Sequence, residues 1–479
     1  MTPSPAAAGA SADHDARRER WRDSVADARS SAGAPSARYV RNVVRALQGA
    51  VPEGRRVLQV QSAAGDVLAA LRPSLGVGVE TSAALVEEAR RRHPGVRFEQ
   101  GGVDAAPREE FDFIVAADLL PDCYDVDDLL ESLKTRAGRS TRLVFVNYSQ
   151  AWRPILRLVR GLGLGRPRFG DTWFTPEDFR AACARRGIEV IRESPETLVP
   201  LAIPVLSTIA NRLLARLPLL KLLCLHLVVV ARVTGRPVEP PPSVTVVVPA
   251  RNEAGNVGRI LREIPRMGAF TEVIFVEGNS TDDTYERLRG LVAEADDPLV
   301  RLIKQPGRGK GDAVRAGFAE ARGDLLMILD ADLTMPAEML PRFYEVLASG
   351  HCEFANGSRL VYRMDDEAMQ FLNLLANRFF AWAFSAVLGQ RVKDTLCGTK
   401  VLSRRDYEQI VAGRGYFGEF DPFGDFDLLF GAARLGLRIA DVPIRYRERT
   451  YGETNIRRFA HGWLLFRMLR IGAMKLKFR

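Results

Sequence analysis

Short runs of aliphatic and aromatic residues, each closed by a polar cluster, recur in two stretches of this chain. In the first stretch they fall at Arg56–Val60, Gly76–Glu80, Val96–Glu99, Phe111–Val115 and Arg142–Val146. In the second they fall at Val244–Val248, Glu272–Val276 and Leu325–Leu329. Runs this apolar predict strands buried on both faces, and helical stretches such as Ser82–Arg92 alternate with them. The expected fold class is therefore α/β, with two domains built on parallel sheets with right-handed crossovers. Between the two stretches, Leu198–Val233 is apolar but interrupted by Arg212, Arg216, Lys221, His226 and Arg232 and by Pro200, Pro204 and Pro218. It is expected to supply the closing strands of the first domain, with an apolar helix over Leu213–Leu220; a membrane anchor is the other reading. His226 in that setting reads as a core residue. Gly235-Arg236-Pro237 and Pro240-Pro241-Pro242 make a stiff linker.

The expected organisation is a disordered or loosely helical leader over 1–37, domains over 38–233 and 243–453 joined by the linker 234–242, and a tail over 454–479. At 479 residues the chain exceeds one ordinary core. A formal charge of +9 suits anionic partners without choosing among them. The five cysteines are scattered and lack metal-ligand spacing, so they read as reduced thiols. No secretory signal and no confident membrane span is visible, which predicts a cytoplasmic protein.

Chemistry enters at the strand ends. The second domain's runs stop at Pro249-Ala250-Arg251-Asn252-Glu253, at Glu277-Gly278-Asn279-Ser280-Thr281-Asp282 and at Asp330-Ala331-Asp332. In an open α/β sheet such ends line the ligand crevice. Two carboxylates one residue apart can hold a hard divalent cation, and the cation a nucleotide diphosphate. An isolated acidic pair more often caps a turn, but three ordered motifs at strand ends favour a metal site. Gly307-Arg308-Gly309-Lys310-Gly311 permits close backbone approach, and Lys310 can meet a phosphate; a surface turn is the plainer alternative.

These motifs resemble those of the inverting family-2 glycosyltransferases with the GT-A fold, nearest to the dolichyl- or polyprenyl-phosphate sugar synthases. The resemblance covers most of 243–479. It implies a nucleotide-sugar donor seated by Pro249, Ala250, Arg251, Glu253, Glu277, Asn279, Ser280, Lys310 and Asp330. It further implies Mg2+ or Mn2+ on Asp330 and Asp332, and a polyprenyl phosphate or other lipid-linked acceptor. Glu277 stands where the family usually has Asp, which leaves the base preference open. Asn356-Gly357-Ser358-Arg359 and Asp394-Thr395-Leu396-Cys397-Gly398-Thr399-Lys400 resemble later family blocks, with Arg359 facing the acceptor phosphate. The acidic cluster Glu419–Asp427 stands where the family carries its base or acceptor-positioning carboxylate. Asp425 is the first choice and Asp427 the second, while capping of a helix over Leu428–Leu435 accounts for at least one of them.

Arg445, Arg447 and Arg449 alternate along Ile444–Thr450 and are expected to share one strand face. Arg447 and Arg449 are phosphate candidates, because arginine stays charged and offers forked donors. Phe371–Leu388 reads as an amphipathic surface helix or a buried packing helix. After Glu453 the chain has no acidic residue, and its basic tail around Trp463 and Phe466 predicts peripheral contact with the inner face of the plasma membrane. Nucleic-acid binding is not expected, since no recognition module is evident.

Residues 38–233 resemble class I S-adenosylmethionine-dependent methyltransferases, with a Rossmann-like fold. The resemblance implies cofactor contacts from Gly65, Glu80 and Asp104. The glycine loop departs from the family pattern: Gln59-Val60-Gln61-Ser62-Ala63-Ala64-Gly65 keeps only its last glycine. A retained scaffold or regulatory module is favoured over methyl transfer, with a bifunctional enzyme or a non-catalytic sugar-nucleotide scaffold as alternatives.

Overall fold

The computed structural model describes residues 5–117, 119–162, 174–200, 206–217, 220–359, 368–418, 424, 426–445, 447 and 458–477. The chain divides into two compact units, Met1–Thr234 and Gly235–Arg479.

The first unit is a seven-stranded mixed sheet of β1 (Arg56–Val60), β2 (Leu75–Glu80), β3 (Arg97–Gln100), β4 (Phe113–Ala117), β5 (Arg142–Tyr148), β6 (Ile188–Glu196) and β7 (His226–Val233). The strand order is β3-β2-β1-β4-β5-β7-β6. Five strands run parallel, as their apolar runs suggest, but β7 is antiparallel to both β5 and β6. The expected all-parallel sheet is therefore corrected to a mixed one. The stretch 198–233 contributes one strand instead of several, because its prolines and charges leave only the final apolar run unbroken. Leu213–Leu220 is no continuous helix: the described part holds short 3-10 turns at Leu214–Arg216 and Leu220–Leu223. Both sheet faces are covered, Leu58, Ile114 and Phe145 packing on one side and Val57, Val115 and Val144 on the other. His226 is buried against Tyr148 and Thr197.

The leader is helical over its described part. Pro5–Ala32 forms a helix, although its sequence has little apolar period. Side chains dock it: Val25 is buried, the Trp21 indole donates to the Asp122 carbonyl at 3.0 Å, and its ring meets Tyr124.

The second unit contains β8 (Val244–Ala250), β9 (Thr271–Glu277), β10 (Val300–Lys304), β11 (Leu325–Ile328), β12 (Phe354–Ser358), β13 (Lys400–Ser403) and β14 (Ile439–Pro443). Their order is β10-β9-β8-β11-β13-β12-β14, with only β13 antiparallel to its neighbours. Strand order reverses between β8 and β11, so a crevice opens there at the carboxyl ends of the parallel strands. Of the strand expected over Ile444–Thr450, the described residues 444, 445 and 447 follow the end of β14 at Pro443 without continuing it, with Arg445 and Arg447 exposed, and the others lie outside the described residues.

Helix Ala368–Leu388 packs against helix Arg458–Gly472 through Phe380 and Phe466. It buries Phe380, Phe384 and Leu388, yet leaves Phe379 and Trp382 exposed, as the second helix leaves Trp463. Among the described residues the segment therefore packs through one face and exposes rings on the other. Among the described residues, no helix is long and apolar enough to cross a membrane.

Candidate functional site

The segments following β8, β9, β10 and β11 meet at one sheet edge, because these four strands are parallel neighbours. The first two interlock through side chains. Asn252 and Asn279 both adopt left-handed backbone (φ 57° each), a conformation asparagine tolerates better than most residues. Asn252 then accepts from the Thr281 amide at 2.8 Å, while its own amide donates to Ser280 Oγ at 3.1 Å. The Glu253 amide donates to Thr284 Oγ1 at 2.9 Å, and the Glu253 carboxylate accepts from Asn256 at 2.7 Å. Glu277 is buried at the end of β9, where Oε1 accepts from the Ser280 amide at 2.5 Å. Gly278 donates to the Ala250 carbonyl at 2.8 Å, tying the turn after Pro249 to the next strand. Burial opposes the charge of Asp282, but bonds from the Thr284 hydroxyl and amide outweigh it and hold its carboxyl below the ordinary range. Glu253 and Glu277 therefore shape the loops that Arg251 and Asn279 present.

The third and fourth segments converge on charge. Lys310 opens helix Lys310–Glu320, and its ammonium lies 2.5 Å from Asp330 Oδ1. Asp332 Oδ1 accepts from the Thr334 amide at 3.0 Å and from its hydroxyl at 2.8 Å, which fixes the carboxylate's orientation. Between them Leu333 is left-handed (φ 51°) and buried, a strain of roughly 1–3 kcal/mol for a branched residue. Gly398 sits over the pair: a Cβ there would overlap Asp330 Oδ2 and Lys310 Nζ. Gly311 and Gly424 likewise approach so closely that a side chain on either would overlap the other's backbone. That contact sets Gly424 beside the start of the helix that Lys310 opens.

The two carboxylates offer hard oxygen donors that suit a divalent cation, and the ammonium already drawn to Asp330 marks the spot as cation-seeking. Among the described residues, no group of three or more His, Cys, Asp or Glu side chains is assembled to hold a metal.

Other candidates are engaged elsewhere. Arg359 makes a forked contact with buried Asp394 (Nε 2.7 Å, Nη2 3.0 Å). Burial opposes the Asp394 charge, but the Arg359 hydrogen bonds and positive charge outweigh it and hold its carboxyl low. Asn356 donates to the Asp394 carbonyl and to Asp441, and fully buried Lys400 donates to Asn356 and to the Cys397 carbonyl. This buried network supports the turn that carries Gly398. Burial pushes the Cys397 thiol up to about 11. Asp427, in the first turn of helix Phe426–Leu435, meets Arg414 at 3.0 Å and Arg315 at 4.0 Å. Arg447 pairs with Glu338 at 2.7 Å, while its amide donates to the Thr334 carbonyl. Asp425 and Arg449 lie outside the described residues.

Sequence reasoning missed Thr334, Arg315, Arg414 and the clamp on Arg359. Only Thr334 carried a local signal, as a hydroxyl two residues after an aspartate at a turn.

In the first unit, Gln61 (φ 51°), Ala63 (φ 50°) and Gly65 (φ 80°) all lie in the left-handed region. The loop thus keeps the backbone of a glycine-rich turn while bearing side chains. Glu80 is buried and already occupied. It accepts from the Ala63 amide at 2.8 Å and from Arg29 of the N-terminal helix at 2.9 and 3.2 Å. Burial opposes both charges, yet their attraction holds Glu80 low and Arg29 high. Arg18, Trp21, Arg22 and Val25 of that helix wall off a cavity of about 110 Å³, whose other lining includes Asp104.

The model of glycosyl transferase family 2 matches residues 245–410. The chain is 33% identical over 220 residues to the dolichyl-phosphate hexose transferase of Haloferax volcanii, covering 45% of this chain and 88% of that relative. It is 28% identical over 233 residues to the dolichol-phosphate mannosyltransferase of Pyrococcus furiosus, spanning 47% of this chain and 62% of that protein. A solved structure of glucosyl-3-phosphoglycerate synthase from Mycobacterium tuberculosis, with Mn2+, UDP and glucosyl-3-phosphoglycerate, aligns with a TM-score of 0.38. Its identity is 21%, over 50% of this chain and 81% of that one. The chain belongs to glycosyl transferase family 2.

Proposed function

We propose that this family-2 member uses a GT-A fold to move a sugar, with inversion, from a nucleoside diphosphate donor to a polyprenyl phosphate. The observation carrying the reading is the convergence of Lys310, Asp330 and Asp332 at the crevice between β8 and β11, beneath Gly398. The lipid acceptor is favoured by the names of the two relatives, which are transferases to dolichyl or dolichol phosphate.

Asp330 and Asp332 would hold Mg2+ or Mn2+, which supplies Lewis-acid stabilisation of the departing diphosphate. Lys310 shifts from Asp330 onto a donor phosphate, helped by the positive N-terminus of its own helix. Arg251 and Asn279 reach the nucleoside from loops held by Glu253 and Glu277. An acceptor phosphate oxygen forms the new bond to the anomeric carbon as the bond to the diphosphate breaks. Because that phosphate is already ionised, the acidic loop needs only to position it, and Asp425 is assigned that role. Arg449 is assigned the diphosphate. The exposed rings Phe379, Trp382 and Trp463, with the basic tail, hold the second unit peripherally on the cytoplasmic membrane face. The test is a panel of nucleotide sugars incubated with polyprenyl phosphate and manganese, with products read by mass. A lipid-phosphate sugar should form with one donor class; free sugar alone would sink the acceptor assignment.

For the first unit we infer a methyltransferase-like scaffold without methyl transfer. The order β3-β2-β1-β4-β5-β7-β6 with β7 antiparallel supports the fold, and the engagement of Glu80 by Arg29 argues against a cofactor there. Isothermal titration of the full chain with S-adenosylmethionine is expected to give no heat of binding at micromolar concentrations. Micromolar affinity would reverse the assignment.

A further inference from the structure

The first unit has a crevice of its own, and the N-terminal helix lies in it. Strand order reverses between β1 and β4, so the carboxyl ends of β1, β2 and β4 border an opening of the kind where open α/β sheets bind ligands. Gln61, Thr81 and Leu119, just past those ends, line the cavity of about 110 Å³ that the helix closes.

The helix is held there by charge more than by apolar burial. Among the described side chains of residues 16–32, Val25 alone is buried, whereas a helix packed on its own domain ordinarily buries a stripe of apolar residues. Arg29 instead meets Glu80 at 2.9 Å and Asp122 at 3.6 Å, and it donates to the Gln61 carbonyl at 3.2 Å. Ser30 Oγ lies 2.5 Å from Ser82 Oγ. Around the cavity the helix supplies Arg18 and Arg22, while the body of the unit supplies Asp104, Asp122, Asp125 and Asp128. Ion pairs contribute little net stability, since each charge gives up water to form them. An element held in this way opens locally at low cost.

The fit is also incomplete. A second cavity of about 30 Å³, bordered by Arg29, is lined by Gln59, Gln61 and Ser62. Gln59 Oε1, Gln61 Oε1 and Ser62 Oγ are buried without a hydrogen-bond partner, and Gln59 and Ser62 are each only 3% exposed. Buried polar groups in a native interface are ordinarily paired, so the docked helix is an imperfect occupant of this seat.

We propose that the N-terminal helix is a reversible plug, which keeps the first unit's crevice shut by lending the Arg29 guanidinium to Glu80 and swings out about residues 33–36. The inference goes beyond sugar transfer, since it concerns the other unit.

Cys123 reports the plug, because it lines the larger cavity together with Trp21, whereas Cys183 is buried in the core of the same unit. The full chain is labelled with N-ethylmaleimide, and both sites are followed by peptide mass. Arg29→Gln should speed labelling of Cys123 at least about tenfold, the scale set by loss of hydrogen bonds to a charged group, and leave Cys183 unchanged. Because that change strands the Glu80 carboxylate, Arg29→Gln combined with Glu80→Gln is the second variant, and it should behave alike. Ser30→Cys with Ser82→Cys, joined as a disulfide, should slow Cys123 about tenfold below the parent, and reduction should bring the rate back. Equal Cys123 labelling in the parent and both glutamine variants would overturn the proposal. So would equal acceleration of Cys123 and Cys183, which marks loosening of the whole unit, or a disulfide form labelled as fast as the parent. Titration with S-adenosylmethionine reads the scaffold assignment separately.

Discussion

Asp332→Ala should lower sugar transfer about a thousandfold or more, the scale expected when the stabiliser of a leaving group's charge is lost. The carboxylate stands at the end of β11, its Oδ1 held by the Thr334 amide and hydroxyl. That oxygen is thereby committed to holding the carboxylate's orientation at the crevice. Asp332→Asn retains an acceptor for Thr334 but loses the charge, so it should fall nearly as far as alanine. Both variants should unfold within about 1 kcal/mol of the parent, since the side chain is half-buried at a surface crevice. Initial rates with manganese, product resolved by mass, decide the matter. Asn activity within a few-fold of the parent would assign Asp332 to turn structure alone.

Asp394→Ala carries the largest expected cost in stability, about 3–5 kcal/mol, because it strands a charge whose partner was removed. Asp394 is buried and accepts from Arg359 Nε and Nη2, from the Arg359 amide at 3.1 Å and from the Leu396 amide at 3.0 Å. Without it the Arg359 guanidinium loses its forked partner, and the turn carrying Gly398 loses its anchor. The pH dependence follows from the sign of the shift. With its folded pKa held below the unfolded value of about 3.9, the contribution is complete above that value and is lost as pH falls through the folded pKa. Neighbouring Asp441 has the opposite shift: burial pushes its carboxyl up, and Asp394's charge adds to that, so its cost is relieved on acidification. The stability gap between parent and variant should therefore be widest near neutrality and narrow below about pH 4. Calorimetry of the second unit's transition across that range measures it. A gap that persists undiminished at pH 2–3 would show that lost packing, not charge, carries the effect.

Unbroken apolar runs made the strand ends β8, β9 and β11 legible, since a strand buried on both faces leaves a continuous local signature. The polar clusters that stop those runs then stood out as the material of a crevice. Strands β12, β13 and β14 left weaker traces. Lys400 sits inside one and Asn356 inside another, both buried polar groups made tolerable by their bonds to each other and to Cys397, Asp394 and Asp441.

The sequence by itself determined the strand-edge motifs, the α/β class and the composition of the basic tail, because each depends on residues within one or two turns of chain. Tertiary structure alone decided that Lys310 rests on Asp330, that Arg359 is spent on Asp394 and Arg447 on Glu338. It likewise turned β7 against its neighbours and laid Arg29 on Glu80, fifty-one residues away. A long cationic side chain can reach many carboxylates, and its choice is made by sheet register, burial and close glycine contacts. None of these is written in local spacing.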